Sequence, residues 1–255
     1  MRAILVALIV ASLPLVSQAY EGGMLNMTVP STLVPGQGEI TVQHRFVGRI
    51  DKDPLDKFLG LNDGASIGLT VRFPVTRGLE LKGGYLRERS EYMLGASYGR
   101  RPPCIPVSIQ ADLQFFDFKK DEPSDRKGSF FYLLSVQTDP FLGRFQPCVN
   151  LAYDYLDRQV GLGLGAAVRA TDKVTLLGEY YPVLDRNNRA DFKADVGPDN
   201  FLAFGLKVET YGHHFVFMLS DGYRLGARYL MLGPEIYERT EYLYFGFNIQ
   251  RLIEF

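Results

Sequence analysis

The sequence predicts an all-β fold: a closed antiparallel up-and-down transmembrane β-barrel of about twelve strands. Three observations carry this reading. Apolar and polar residues alternate with a period of two through segment after segment from residue 39 to the C-terminus, the side-chain period of a strand with two different faces. The connections between these segments sort into short ones on one side and long ones on the other, the asymmetry of a membrane barrel. Residues 1–19 read as a secretory leader, and no later segment has the unbroken apolar length of a membrane helix.

In the leader, Arg2 is the positive end, Ala3 to Val16 the apolar stretch and Ser17-Gln18-Ala19 a small-x-small cleavage site. No cysteine follows the site, so a lipoprotein is not expected. The mature domain is expected to run from 20 to 255, beginning with a polar, Pro- and Gly-containing lead over 20–38.

The first expected strand is 39–46, with Ile40, Val42, His44 and Phe46 on one face. Strands at 65–73, 79–87 and 91–99 follow, then two long ones at 105–117 and 128–138. Further strands are expected at 145–156, 160–169, 174–182, 201–209 and 213–220. The last fifteen residues place Leu243, Phe245, Phe247, Ile249, Ile253 and Phe255 on one face, with Tyr242, Tyr244, Gly246, Asn248, Gln250 and Glu254 on the other. A terminal aromatic on such a strand resembles the C-terminal signal of bacterial outer-membrane barrels. Phe255 is therefore the candidate insertion signal, and the insertion machinery and outer-membrane lipid are the expected partners.

An even strand number puts both termini on one side. The connections on that side are short, at 74–78, 100–104, 139–144, 170–173 and 210–212, and several carry turn residues such as Asp139-Pro140. Connections on the opposite side include the long ones at 47–64, 118–127, 183–200 and 221–240. Within the first, Asp53–Leu61 is expected to form a short amphipathic helix, in the loop or in the barrel mouth. Three residues fit poorly. Arg251 falls on the apolar face, and Pro106 and Pro147 lack a ladder donor; all three lie near the rim, where a charge can reach water and a ladder can end.

Composition excludes little by itself. There are 28 basic and 29 acidic residues, so no basic field exists for nucleic acid, and none is expected as a partner. A mean hydropathy of −0.05 suits a membrane barrel, whose outward apolar and inward polar residues average out, and equally a soluble β protein.

Motifs that could carry chemistry are weak. Gly161-Leu-Gly-Leu-Gly165 has the wrong spacing and no following helix for a nucleotide loop; mid-strand, these glycines are expected to face the lumen and leave space. His213 and His214 are adjacent, so a strand points them to opposite faces, and no metal site or cofactor is expected. His44 is the one candidate for a lipid hydrolase, but no suitably spaced outward serine accompanies it, so no catalytic residue is assigned and the chain is not expected to be an enzyme. The Asp- and Asn-rich loop 183–200 lacks calcium-loop spacing and reads as a solvated loop. Cys104 and Cys148 are separated by one expected strand, so a bridge would have to span roughly 9–10 Å, beyond the usual reach of about 7 Å.

The polar face is more informative. The register points Arg45, Arg72, Glu80, Lys82, Gln110, Asp112, Gln114, Asn150, Asp154, Arg169, Glu179, Lys207, Glu209 and Gln250 inward. Buried charges must be paired or wet. Mixed signs favour a narrow or occluded lumen over a wide selective pore.

The segment His44-Arg45-Phe46, then Phe58-Leu59-Gly60-Leu61-Asn62-Asp63 and the strand at 65–73, resembles the opening of an uncharacterised membrane-associated β-barrel family of Gram-negative bacteria. The similarity of pattern runs through most of the mature chain. It implies the fold and an outer-membrane location, and it carries no activity and no functional residues. The function expected is a narrow passive conduit or binding barrel for a small polar solute. The alternatives are a non-conducting envelope scaffold acting through its long outer loops, and a soluble exported β domain.

Overall fold

In the computed structural model, twelve strands close into one antiparallel barrel, each paired to its chain neighbours, with the last joined to the first. The structure describes residues 23–51, 60–87, 90–119, 126–184, 200–232 and 242–255. The strands are β1 (Gln37–Arg49), β2 (Ala65–Pro74), β3 (Leu79–Leu86), β4 (Glu91–Arg100), β5 (Val107–Lys119) and β6 (Arg126–Thr138). They continue as β7 (Phe145–Asp154), β8 (Gln159–Arg169), β9 (Val174–Tyr181), β10 (Phe201–Thr210), β11 (His213–Ser220) and β12 (Tyr244–Glu254). One short α-helix among the described residues, α1 (Ala227–Leu232), lies between β11 and β12. The barrel closes where Gln37 opposes Glu254, and the β1–β12 register holds to Arg45 opposite Gly246 before it shifts.

The leader expected over 1–19 and nearly all of the helix expected over Asp53–Leu61 lie outside the described residues, as does most of the loop 183–200. After Gly60 the chain makes a single 3-10 turn, Leu61–Asp63. At the end carrying the termini the turns are short throughout. The connection between β10 and β11 is only Tyr211-Gly212, with Gly212 in the left-handed region at φ 73°, which glycine adopts without steric cost. At the opposite end the expected length is not uniform. The β3–β4 and β7–β8 connections are as tight as the turns opposite, four residues each at 87–90 and 155–158.

The outward face is apolar. Leu94, at 70% exposure, is joined by Leu81, Leu113, Leu176 and Phe204; surface of this kind is stable against lipid and costly against water. Tyr92, Tyr153 and Tyr155 ring one end, and Phe73, Tyr98, Phe145 and Phe255 the other, the aromatic girdles of a membrane barrel. No helix of the described residues is long and apolar enough to cross a membrane, and the crossing is made by strands.

The residues that fitted poorly sit at the rim. Arg251 is exposed beside the β10–β11 turn, its Nη1 3.2 Å from His213 Nε2. The β6–β7 ladder begins at Cys148, one residue past Pro147, so the missing donor interrupts nothing there. Pro106 precedes β5.

The hydrophobic core of this barrel lies inside it. Phe116, Phe118, Phe131, Leu133, Tyr181 and Phe201 point inward, and they pack with Met24, Leu25, Met27 and Val29 of the chain's lead and with Leu230 and Met231 of α1. A barrel wider than about eight strands leaves space that wall side chains alone do not fill. Two segments of the same chain fill it here.

Candidate functional site: a filled lumen

The lead is not a tail outside the barrel. Residues 23–33 form a strap that crosses the lumen, touching the walls by turns. Ser31 lies against β3 and β5: its backbone N–H donates to Gln110 Oε1 at 2.8 Å and its hydroxyl to Glu80 Oε2 at 2.6 Å. Thr28 meets β6 and β7, where its carbonyl accepts from Ser135 Oγ at 2.9 Å and Asn150 Nδ2 at 2.8 Å, and its N–H donates to Asn150 Oδ1 at 3.1 Å. Asn26 and Met27 donate their backbone N–H groups to Glu179 Oε1 of β9, at 2.8 and 2.9 Å. On the far side Arg45 of β1 donates to Asn26 Oδ1 at 2.8 Å, and Asn248 of β12 donates to the Leu25 carbonyl at 2.7 Å.

The strap has no strand partner, yet its buried backbone groups must be paired. Side chains of the wall do this. Arg45, Glu80, Gln110, Asn150 and Glu179 all lie on the polar strand faces, and all are spent on the strap or its neighbours rather than on an open aqueous bore. Glu179 is further held by the Tyr181 hydroxyl, which donates to Oε2 at 3.0 Å. Arg45 also donates to Asn248 Oδ1 at 2.8 Å.

The strap's apolar side chains occupy sockets where the wall has glycine. An ideal Cβ on Gly165 would stand 2.5 Å from Met27 Sδ and 2.7 Å from Met24 Cε; one on Gly205 would stand 2.4 Å from Leu25 Cδ2. One on Gly161 would meet the Met231 backbone carbonyl oxygen at 2.9 Å. The glycine run 161–165 thus serves close approach, of the strap at one end and of α1 at the other.

α1 sits inside the barrel at the end opposite the termini. Arg228 forms ion pairs with Asp154, at the end of β7, and with Asp157 at 2.9 Å in the turn beyond it, and its guanidinium stands 4.7 Å from the Phe118 ring centroid. Tyr229 donates its hydroxyl to Glu91 of β4. Leu230, Met231 and Leu232 are buried.

The remaining inward charges form two groups. Arg72 bonds Glu80 at 2.9 and 3.2 Å and approaches Glu39 at 3.5 Å, while Lys82 pairs with Asp112, whose other oxygen accepts from Gln110 Nε2 at 3.0 Å. Lys207 and Glu209 are 3.5 Å apart on β10 near the termini, and Arg169 ends β8 at the same rim. Gln114 and Gln250 are buried beside a cavity of about 150 Å³ left between the strap and the wall.

His44 faces outward, stacked on Phe247 at 5.0 Å and against Phe46 at 4.4 Å. Its cross-strand neighbours are Ile67 and Phe247, neither of which supplies a hydroxyl. Both cysteines are free: Cys104 is exposed in the β4–β5 turn, and Cys148 is buried against the strap.

Sequence reasoning did not see the strap, α1, Arg228 or the roles of Ser135, Asn248 and Tyr181. Two signals were available. Glycines at inward positions mark close approach. Residues 115–118 are apolar on both faces at Phe115, Phe116 and Phe118, which a water-filled bore would not need.

The family described as a membrane bound beta barrel domain (DUF5777) matches residues 134–253. No curated protein matches. Among solved structures, the KdgM porin aligns at 8% identity over 84% of this chain and 98% of its own, with a TM-score of 0.53. The NanC porin aligns at 8% identity over 86% and 99%, with a TM-score of 0.50. Outer membrane phospholipase A from Escherichia coli aligns at 11% identity over 94% and 99%, with a TM-score of 0.47. Identities this low speak for the architecture alone. The family match, the lipid-facing girdles and the closed ladder together describe a membrane-bound β-barrel of the outer-membrane type.

Proposed function

We propose that this barrel is a narrow conduit or binding barrel for a small polar solute, held nearly closed by its own strap. The observation that carries the reading is the set of wall side chains bonded to the strap at Leu25, Asn26, Met27 and Thr28. Space remains beside it, in a cavity of about 150 Å³ walled by β1 to β5 and β12. A solute that used this path would meet mixed charge and amides, which suits a small polar molecule and no macromolecule. The likeness to two porins supports the barrel and is silent on the solute.

Single-channel recording of the refolded, heat-modifiable protein in a planar bilayer tests this. The expected record is closed or of very small conductance. A large, steady conductance from the native chain would overturn it. The second reading, an envelope scaffold, is favoured by α1, fixed inside the end opposite the termini by Arg228 on Asp154 and Tyr229 on Glu91, and it predicts silence even after the strap is released.

Partners are assigned on the same reading. Lipid meets the apolar face, and no nucleic acid is bound. The insertion machinery reads Phe255, which is exposed at the end of the closing strand and 6.1 Å from the Phe73 ring. Deleting Phe255 is expected to slow assembly in cells several-fold while leaving refolding in detergent unchanged. Pulse-chase assembly at the native rate would remove that role from Phe255.

A further inference from the structure

The charged side chains around the cavity beside the strap are layered. Arg72 stands in one row of the wall between Glu39 on β1 and Lys82 on β3. Glu80 and Asp112 stand in the next inward row, two residues nearer the termini. Arg72 is bonded to Glu80, and Lys82 to Asp112, so each base reaches back to an acid behind it. The two bases line the cavity and these two acids do not. Arg72 keeps 15% of its side-chain surface and Lys82 6%, against 2% for Glu80 and 0% for Asp112. Glu39 is the one acid in the lining, and its carboxylate is turned to its neighbours. Its Oε1 accepts from Thr41 Oγ1 at 3.2 Å and lies 3.5 Å from Arg72 Nη1, while its Oε2 is buried. One inward row further from the termini the wall becomes Thr70, Met93 and Phe116. The cavity therefore has a cationic floor, with an apolar wall about 7 Å along the strands from it.

We infer that the cavity binds a small monocarboxylate, its head group on Arg72 and Lys82 and its short apolar body against Met93 and Phe116. Both bases have donors beyond those their acids use, since an ammonium carries three N–H groups and a guanidinium five. Arg72 gives Nε and Nη2 to Glu80, which leaves Nη1 with only the long contact to Glu39. Three acids and two bases make the group negative at a distance. Attraction and repulsion fall with separation, however, and a head group on the floor touches the bases, with Glu80 and Asp112 behind them. An ammonium would meet the same two bases with like charge. An inorganic anion would leave the apolar row uncovered. The size is set by the volume: a cavity of about 150 Å³ holds a ligand about as large as benzene.

This assignment names the solute class for the conduit or binding barrel and rests on that reading, but it has its own test. Ligand-observed NMR titration of the refolded full chain, with empty micelles as the blank, would compare n-butyrate, acetate, 1-butanol and n-butylammonium. n-Butyrate is expected to bind and n-butylammonium not to bind. 1-Butanol, which lacks the charge, is expected to bind at least about tenfold more weakly, and acetate, two methylenes shorter, about tenfold more weakly. Lys82→Met with Asp112→Asn removes one base and one acid together, so the net charge of the group is unchanged and no carboxylate is left bare. It is expected to weaken n-butyrate about tenfold or more. Thr70→Phe fills the cavity and leaves both bases in place, and is expected to abolish binding; heat-modifiable migration verifies that each variant is folded. No n-butyrate binding, n-butylammonium or acetate binding as tightly, or n-butyrate binding indifferent to these substitutions would overturn the assignment. The two proposals fail separately: an open pore that binds n-butyrate sinks only the closed barrel, and a closed barrel that ignores it sinks only this site.

Discussion

Filling the strap's two glycine sockets, with Gly165→Leu and Gly205→Leu together, is expected to drive the strap from the lumen and raise conductance by roughly an order of magnitude, because a barrel of this strand number is too wide for its wall side chains to fill. A single added Cβ at Gly165 meets the far ends of Met24 and Met27, flexible thioethers that can turn aside. A leucine adds three further carbons in the same place. At Gly205 the Cβ would already stand 2.4 Å from Leu25, so the strap loses both seats at once. The strand ladder does not run through the strap, and the barrel is expected to stay closed and heat-modifiable. Cys148 provides a second reading of the same event. It is 1% exposed, with its Sγ 3.8 Å from the Thr28 carbonyl, whereas Cys104 is exposed. A membrane-impermeant maleimide is expected to label Cys104 alone in the native protein and both cysteines in the double variant. If Cys148 becomes reactive while conductance stays at the native level, α1 alone closes the barrel, and the scaffold reading gains over the conduit.

The second large effect concerns the seat of α1. Arg228→Ala is expected to destabilise the barrel by about 3–5 kcal/mol, the usual cost of removing one partner from a buried ion pair. Asp154 has 0% exposure, and the arginine is its only cationic partner among the described residues. The hydrogen bonds that remain to it, from Ser129 Oγ at 3.1 Å and the Asp157 N–H at 2.9 Å, do not neutralise a carboxylate out of water. The loss should come from the charge left behind rather than from the helix's packing. Arg228→Met with Asp154→Asn is therefore expected to regain most of the stability, since the asparagine keeps an acceptor for both remaining donors and carries no charge. Urea unfolding in lipid vesicles separates the cases. A double variant as unstable as Arg228→Ala would mean that the arginine acts through packing on Phe118, 4.7 Å away, instead of through Asp154.

These effects involve residues of unequal legibility. Arg45, Glu80 and Glu179 sit on the polar faces of alternating strands, and a period of two is written in neighbouring residues. Arg228 lies in a loop with no such period, and only its meeting with β7 gives it a role. The lead at 23–33 is short, with a few apolar residues among polar ones, and resembles many unstructured leads. Its partners lie far along the chain: Ser31 and Gln110 are 79 positions apart, and Leu25 and Asn248 are 223 apart. The Gly161–Gly165 run showed that something needed space, without showing what.

The sequence by itself determined the strands, their even number, the apolar outer face and the polar residues turned inward, because each depends on side chains one to a few positions apart. Only the tertiary structure decided what fills the barrel. Closing β12 onto β1 creates an interior that no local segment can see. Once it exists, buried backbone and charge must find partners within it, and the strap and α1 are the segments that supply them.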